Sequence, residues 1–205
     1  MDLLVVALTF ATIFLVELPD KTFIATLVLS TRFRPLLVWV GVGLAFAIQT
    51  GIAVGLGSAL SLLPMTVVRY GAAALFLTGA ILLFREARSA DAEEAGTEEE
   101  FAERAEKVTH GRTTGGWKAV LASFLVLFAA EWGDLSQLLT LSLVAKYDAP
   151  FSVYVGALGA LLAVSGLAVG LGRILLNRIR LSTLHYVGGS MCLLLLGITL
   201  YEILN

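Results

Sequence analysis

Four carboxylates stand where an apolar chain has least use for them. Glu17 and Asp20 interrupt the apolar run Leu3–Leu29, and Glu131 and Asp134 interrupt the run Trp117–Val144. The remaining acidic residues lie elsewhere: Asp2, Glu86, Asp148 and Glu202 at the ends of apolar runs, the others between Asp91 and Glu106. An ionisable group at mid-membrane costs about 2.5–3.5 kcal/mol even on a lenient insertion scale, so four of them call for a reason. The i, i+3 spacing puts the two acids of each pair on one helix face. Carboxylates crowded away from water take up protons, because burial and mutual repulsion disfavour the charged form. A divalent cation displaces those protons, and proton-coupled exchange follows from the competition. Hard oxygen ligands suit calcium, manganese or magnesium. The apolar core offers no His, and Cys192, read as a buried thiol, lies outside the acidic pairs, so zinc and copper are poorly served.

Neighbouring residues extend the constellation. Thr22, Ser136 and Gln137 follow the acidic pairs and offer further oxygens, or else interhelical hydrogen bonds. Gln49 sits midway along another apolar run, where a direct role is the weaker reading. Lys21 either pairs with Asp20 or Glu131, holding an empty site neutral, or snorkels toward water. Pro19 and Gly133 sit inside the acidic pairs. Proline removes a backbone donor and glycine loosens the helix, and carbonyls freed at membrane depth must find a partner such as a cation. A packing kink alone would not recur at the same place in both halves.

The elements that must position these residues are legible from hydropathy. The chain has 205 residues, 58% of them apolar, and a mean hydropathy of +0.90. That is too much apolar surface for a soluble domain of this size. Six runs, Leu3–Leu29, Leu36–Leu60, Val67–Phe84, Trp117–Val144, Val153–Leu176 and Leu184–Ile203, are each long enough to cross about 30 Å of hydrocarbon. The first lacks the basic start of a cleaved signal and is read as a span. Eleven Lys and Arg residues fall on one side of these spans and two, Arg69 and Lys146, on the other. The positive-inside rule then places both termini outside the cytoplasm. The acidic stretch Glu86–Arg112 reads as a solvated cytoplasmic linker, in which Thr97 and Glu100 have capping-box spacing for a short helix. His110 in this linker and His185 at the last span are not placed to relay a mid-membrane proton.

The chain also repeats itself. Shifted by about 114 positions, Glu17-Leu-Pro-Asp20 overlays Glu131-Trp-Gly-Asp134, and Thr50-Gly-Ile-Ala-Val-Gly-Leu-Gly57 overlays Ser165-Gly-Leu-Ala-Val-Gly-Leu-Gly172. Each half holds three spans, and an odd number turns the second half upside down in the membrane. The expected fold is an all-α integral membrane protein of six transmembrane helices in two inverted three-helix repeats, residues 1–85 and 117–205, joined by the linker 86–116. Such repeats place a substrate site at their interface near the midplane. Gly51 and Gly55, and Gly166 and Gly170, have the small-xxx-small spacing of closely packed helices.

At its acidic pairs the sequence resembles uncharacterised protein family 0016, the Golgi-type divalent cation/proton exchangers and their bacterial manganese-exporting relatives. That family carries two copies of Glu-x-Gly-Asp-Lys/Arg-Thr/Ser, which here read Glu17-Leu-Pro-Asp-Lys-Thr22 and Glu131-Trp-Gly-Asp-Leu-Ser136. The resemblance covers the whole chain. It implies manganese or calcium moved against protons as cargo, with no resident cofactor and no enzymatic activity. Its metal ligands would be Glu17, Asp20, Glu131 and Asp134. Pro19 in place of the first glycine and Leu135 in place of the second basic residue are departures; the latter makes the site more negative. The implied setting is a multi-pass protein of a bacterial plasma membrane, alone or as a homo-oligomer, with lipid, metal ions and protons as partners. No basic tract suits nucleic acid. Two rivals are an intramembrane aspartyl protease using Asp20 and Asp134 as a dyad, and an exporter of a small organic solute for which Lys21 is the one cationic anchor.

Overall fold

The computed structural model describes residues 1–18, 20–60, 64–109, 116–178 and 181–204. Every element among them is helical: α1 Leu3–Glu17, α2 Lys21–Arg32, α3 Pro35–Leu60, α4 Met65–Thr109, α5 Trp117–Ala130, α6 Leu135–Tyr147, α7 Pro150–Arg178 and α8 Leu181–Leu204. Four stretches are long and apolar enough to cross a bilayer singly: α3, Thr66–Arg88 of α4, Pro150–Gly170 of α7 and His185–Leu204 of α8. The pairs α1–α2 and α5–α6 reach that length only together, bent by 71° and 73°, and counting each as one span gives six.

These bends revise one expectation. The acids of each pair do not share a helix face, because the helix stops between them. Glu17 is the last residue of α1 and Asp20 caps α2. Glu131 is the C-cap of α5 and Asp134 the N-cap of α6. Gly133 adopts φ +80°, a left-handed conformation that glycine takes at no steric cost. Pro19, its counterpart, lies outside the described residues.

The third helix of each half packs on the opposite half. α3 lies against α5 and α7 against α1. A Cβ on Gly41 would run into the Val120 carbonyl oxygen and lie 2.9 Å from Ser123 Cβ. A Cβ on Gly156 would meet the Val6 carbonyl at 2.6 Å and Thr9 Cβ at 2.9 Å. Val6 and Thr9 are the repeat mates of Val120 and Ser123, so one contact is built twice. The stacked rings of Phe10 and Phe14, 5.6 Å apart, are likewise matched by Phe124 and Phe128 at 5.3 Å. Of the expected small-xxx-small glycines, Gly51 and Gly166 lie against Tyr154 and Trp39 across α3 and α7, whereas Gly55 and Gly170 have nothing within 4 Å of an added Cβ, since both lie on exposed faces. Close approach falls instead at Gly41, Gly156 and Gly57, the last against Val144 and Leu141 of α6.

The acidic stretch departs from a separate short helix. α4 continues unbroken from the third span to Thr109, so Thr97 opens nothing. Arg104 and Lys107 pair with Glu100 and Glu103 one turn back, a spacing that supports an exposed helix. Phe101 is buried in the core, and Arg32 at the end of α2 lies 4.0 Å from Glu106. His110 lies outside the described residues, whereas His185 is buried with Nε2 3.7 Å from Glu86. Cys192 is buried as expected.

The polar contacts divide between the two ends of the bundle. At one end the Asp2 amide donates to Ser152, Arg69 to the Glu202 carbonyl, and Lys146 pairs with Glu202. At the other lie Arg32–Glu106 and Glu86–His185. The division matches the Lys/Arg partition read from the sequence.

Valine at Gly41 or at Gly156 is expected to force the crossed helices apart and to cost about 1–3 kcal/mol each. Thermal unfolding in detergent checks this, with Gly55→Ala near neutral as the control.

Candidate metal centre

The two bends face each other, and their four acids meet. One carboxylate oxygen from each of Glu17, Asp20, Glu131 and Asp134 lies within 4.8 Å of all the others. Glu17 and Glu131 are buried; Asp20 and Asp134 are half-buried. The broken helices explain how residues three apart converge. Each Asp stands at the start of a helix, where free N–H groups favour negative charge. Each Glu stands at the end of one, where carbonyls lack intrahelical donors.

The surrounding hydrogen bonds fix one face of the cluster and leave another open. Thr22 Oγ1 donates to Glu17 Oε2 at 2.9 Å, and the Ser136 hydroxyl also approaches Glu17 from the other motif. The Ser136 amide donates to Asp134 Oδ2 at 3.3 Å. Gln137 stitches its turn: Nε2 donates to the Glu131 carbonyl at 2.7 Å, and Oε1 accepts from the Gly133 amide at 3.2 Å. Three buried carboxylate oxygens, Glu17 Oε1, Asp20 Oδ2 and Glu131 Oε1, have no hydrogen-bond partner. Burying such acceptors without a donor or cation is costly. Oxygens bound trans on one calcium ion, at about 2.3–2.6 Å from the metal, lie about 4.6–5.2 Å apart. The cluster has the dimensions of one such coordination shell.

Among the described residues, two of the cavities flank the cluster. The larger, about 230 Å³, is lined by Asp20, Lys21, Leu135 and Asp134 and runs along α4 from Leu75 to Glu86. Lys21 thus faces Asp20 and Asp134 across open space, and Asp20, Asp134, Glu86 and Glu131 all act on its charge. The smaller cavity, about 10 Å³, lies beside Gln49, Thr50, Glu131, Ser136 and Thr140. It has room for about one water. Gln49 is held by a 2.9 Å bond from Nε2 to the Phe128 carbonyl, and its Oε1 is buried without a partner.

All nine residues singled out from the sequence therefore border the cluster or its cavities. Thr50, Thr140 and Glu86 were not among them. Thr140 follows Ser136 by one helical turn, a signal available in the sequence; Glu86 reads as an ordinary span end, and only the packing of α4 against α6 brings it to the cavity.

This fold and site define a polytopic membrane transporter. The family model described as Divalent cation/proton antiporter GDT1 matches residues 5–91 and again residues 119–205. The chain belongs to this family, which is one of antiporters, not of enzymes, and the aspartyl-protease reading of Asp20 and Asp134 falls away. A GDT1-like protein of Synechocystis sp. is 34% identical over 84% of the chain and 85% of its own length. A chloroplastic GDT1-like protein 1 of Oryza sativa subsp. japonica is 32% identical over 97% of the chain. The chloroplastic protein PAM71 of Arabidopsis thaliana is 32% identical over the same share. The chain spans 62% and 57% of the length of these two plant proteins. No solved structure matches it.

Replacing Gln137 by Leu is expected to unpair two backbone groups of the 131–134 turn and to destabilise the protein by about 1–3 kcal/mol. Thermal unfolding measures this, and a melting temperature equal to that of the parent would remove the stitching role.

Proposed function

We propose that the chain exchanges manganese or calcium for protons through a single mid-membrane site formed by Glu17, Asp20, Glu131 and Asp134. The observation that carries this reading is the meeting of four carboxylate oxygens within 4.8 Å, with three buried oxygens lacking partners. Thr22, Ser136, Gln137 and Gln49 support the shell as hydrogen-bond partners or neutral oxygen donors, and Lys21 offsets its negative charge. Magnesium suits the site less, because it dehydrates reluctantly and usually keeps several waters rather than taking an all-protein oxygen cage.

Charge balance gives the coupling. A divalent ion replacing two protons leaves the buried charge unchanged, so neither loaded form carries an added desolvation penalty. The two halves act as inverted repeats that rock about the site, exposing it to one side and then the other. The larger cavity, which runs toward Glu86 at the arginine-rich end, serves cytoplasmic access. In this orientation both termini lie outside the cytoplasm, across a bacterial plasma membrane. Assembly as a homo-oligomer is compatible with the exposed apolar faces of the helices.

The test is metal flux into proteoliposomes under an imposed pH gradient. Manganese or calcium uptake is expected to follow the gradient, with magnesium slower. Glu131→Gln and Asp134→Asn are each expected to lower the rate by at least about tenfold. Undiminished flux in folded variants sinks the mechanism. Equilibrium binding gives an independent measure: the metal dissociation constant should rise about tenfold per unit fall in pH for each proton displaced, a slope of two in the logarithmic plot. A slope of zero means that protons and metal do not compete.

A further inference from the structure

The two ends of the bundle are sealed to different degrees by the same device. α2 and α6, the second arms of the two broken helices, end in basic residues at equivalent repeat positions, Arg32 and Lys146. Each meets an acid on the last helix of its own half, Glu106 on α4 and Glu202 on α8. We propose that these are the latches of two gates, and that Lys146–Glu202 closed with Arg32–Glu106 loose is the state seen here.

The geometry of the outer pair is that of a closed latch. The Lys146 side chain is only 4% exposed, and its Nζ lies 3.3 Å from Glu202 Oε2 and 3.1 Å from Thr199 Oγ1. Thr199 gives its own proton to the Leu195 carbonyl, so its oxygen is available to the ammonium. Nζ also stands 5.3 Å from the centre of the Tyr147 ring, a favourable cation–π distance. Arg69 donates to the Glu202 carbonyl at 2.7 Å and holds the partner in place. The pair is buried on its lysine side, with the Glu202 side chain 34% exposed, and removing Glu202 strands the buried ammonium.

The inner pair is its loose counterpart. Arg32 Nη1 lies 4.0 Å from Glu106 Oε2, with the two side chains 42% and 65% exposed. Exposed pairs at such distances add little. The cavities agree with the asymmetry. The large one runs along α4 to Glu86, on the side of Arg32, and on α6 it reaches Leu138, whereas Thr140, further toward Lys146, borders a void of about one water among the described residues. Closing Arg32 on the acidic stretch of α4 while Lys146 leaves Glu202 would reverse the picture by the pseudo-symmetry of the halves. This rests on the alternating-access reading above, but its test reads access and needs no metal.

The test uses Thr140→Cys, a position 2% exposed behind the outer latch, with the native Cys192 buried as a silent background. Intact cells are treated with a membrane-impermeant maleimide without added metal. Labelling is expected to be slow in the parent and faster by at least about fivefold in Lys146→Met and in Glu202→Gln. The swapped pair Lys146→Glu with Glu202→Lys is expected to return to the slow rate, and Arg32→Met to leave it no faster. Unchanged labelling in both single variants overturns the latch, as does a swapped pair that labels as fast as they do. If one single variant is recovered unfolded, the other single variant and the swapped pair together decide between these outcomes. A chain that carried no divalent cation would still report on the latch, so the flux assay and the labelling assay fail separately.

Discussion

Everything in this structure answers to the cost of holding four acids together away from water. Coulomb repulsion between carboxylates a few ångströms apart is severe in a low dielectric, and desolvation adds to it. Two helix breaks make the cluster tenable. They put each Asp at a positive helix start and each Glu at a helix end beside carbonyls that also seek a cation. The same breaks supply the 71° and 73° bends that bring the motifs face to face. An unbroken helix would carry each pair as a stripe and leave the two stripes far apart.

Bent half-helices have few backbone contacts of their own at membrane depth, so they must be held by neighbours. The crossed packing does this. Gly41 lets α3 reach the backbone of α5, and Gly156 lets α7 reach that of α1. Each half thereby clamps the first arm of the other. The second arms are clamped less evenly: α6 lies against Gly57 of α3 and is tied to α8 through Lys146, while α2 ends in an exposed arginine. Rigid first arms and unequal second arms are what a site needs if its walls are to move without losing their acids.

Much of this was legible in the residues. Six apolar runs, the displaced repeat and four misplaced acids gave the architecture and the cluster, because hydropathy and charge are read one residue at a time. The glycines were misjudged for a physical reason. Spacing shows that Gly51 and Gly55 share a face, but only the packing shows that Gly55 looks outward while Gly41 meets a backbone carbonyl. Thr97 and Glu100 have capping spacing, yet a helix already under way from Met65 has no start to cap. The joint action of Gln137 on both sides of its turn depends on Gly133 taking a left-handed φ, which the glycine permits and the sequence does not dictate.

The halves differ most where chemistry requires a difference. A perfectly symmetric site would see the same environment from both sides, and protons and metal would gain no preferred order of binding. Lys21 in the first motif and Leu135 in the second break that symmetry at equivalent positions, and both line the large cavity. A cation arriving along that cavity meets one fixed positive charge at its floor together with Asp20 and Asp134. At the proposed site it would compete with Lys21 for the same carboxylates, and binding from that side would be weaker than at a site without the lysine. On the proposed exchange reading, the lysine would set a threshold for loading, while the unpaired oxygens of Glu17 and Glu131, deeper in the cluster, would supply the affinity that a cation passing it would meet.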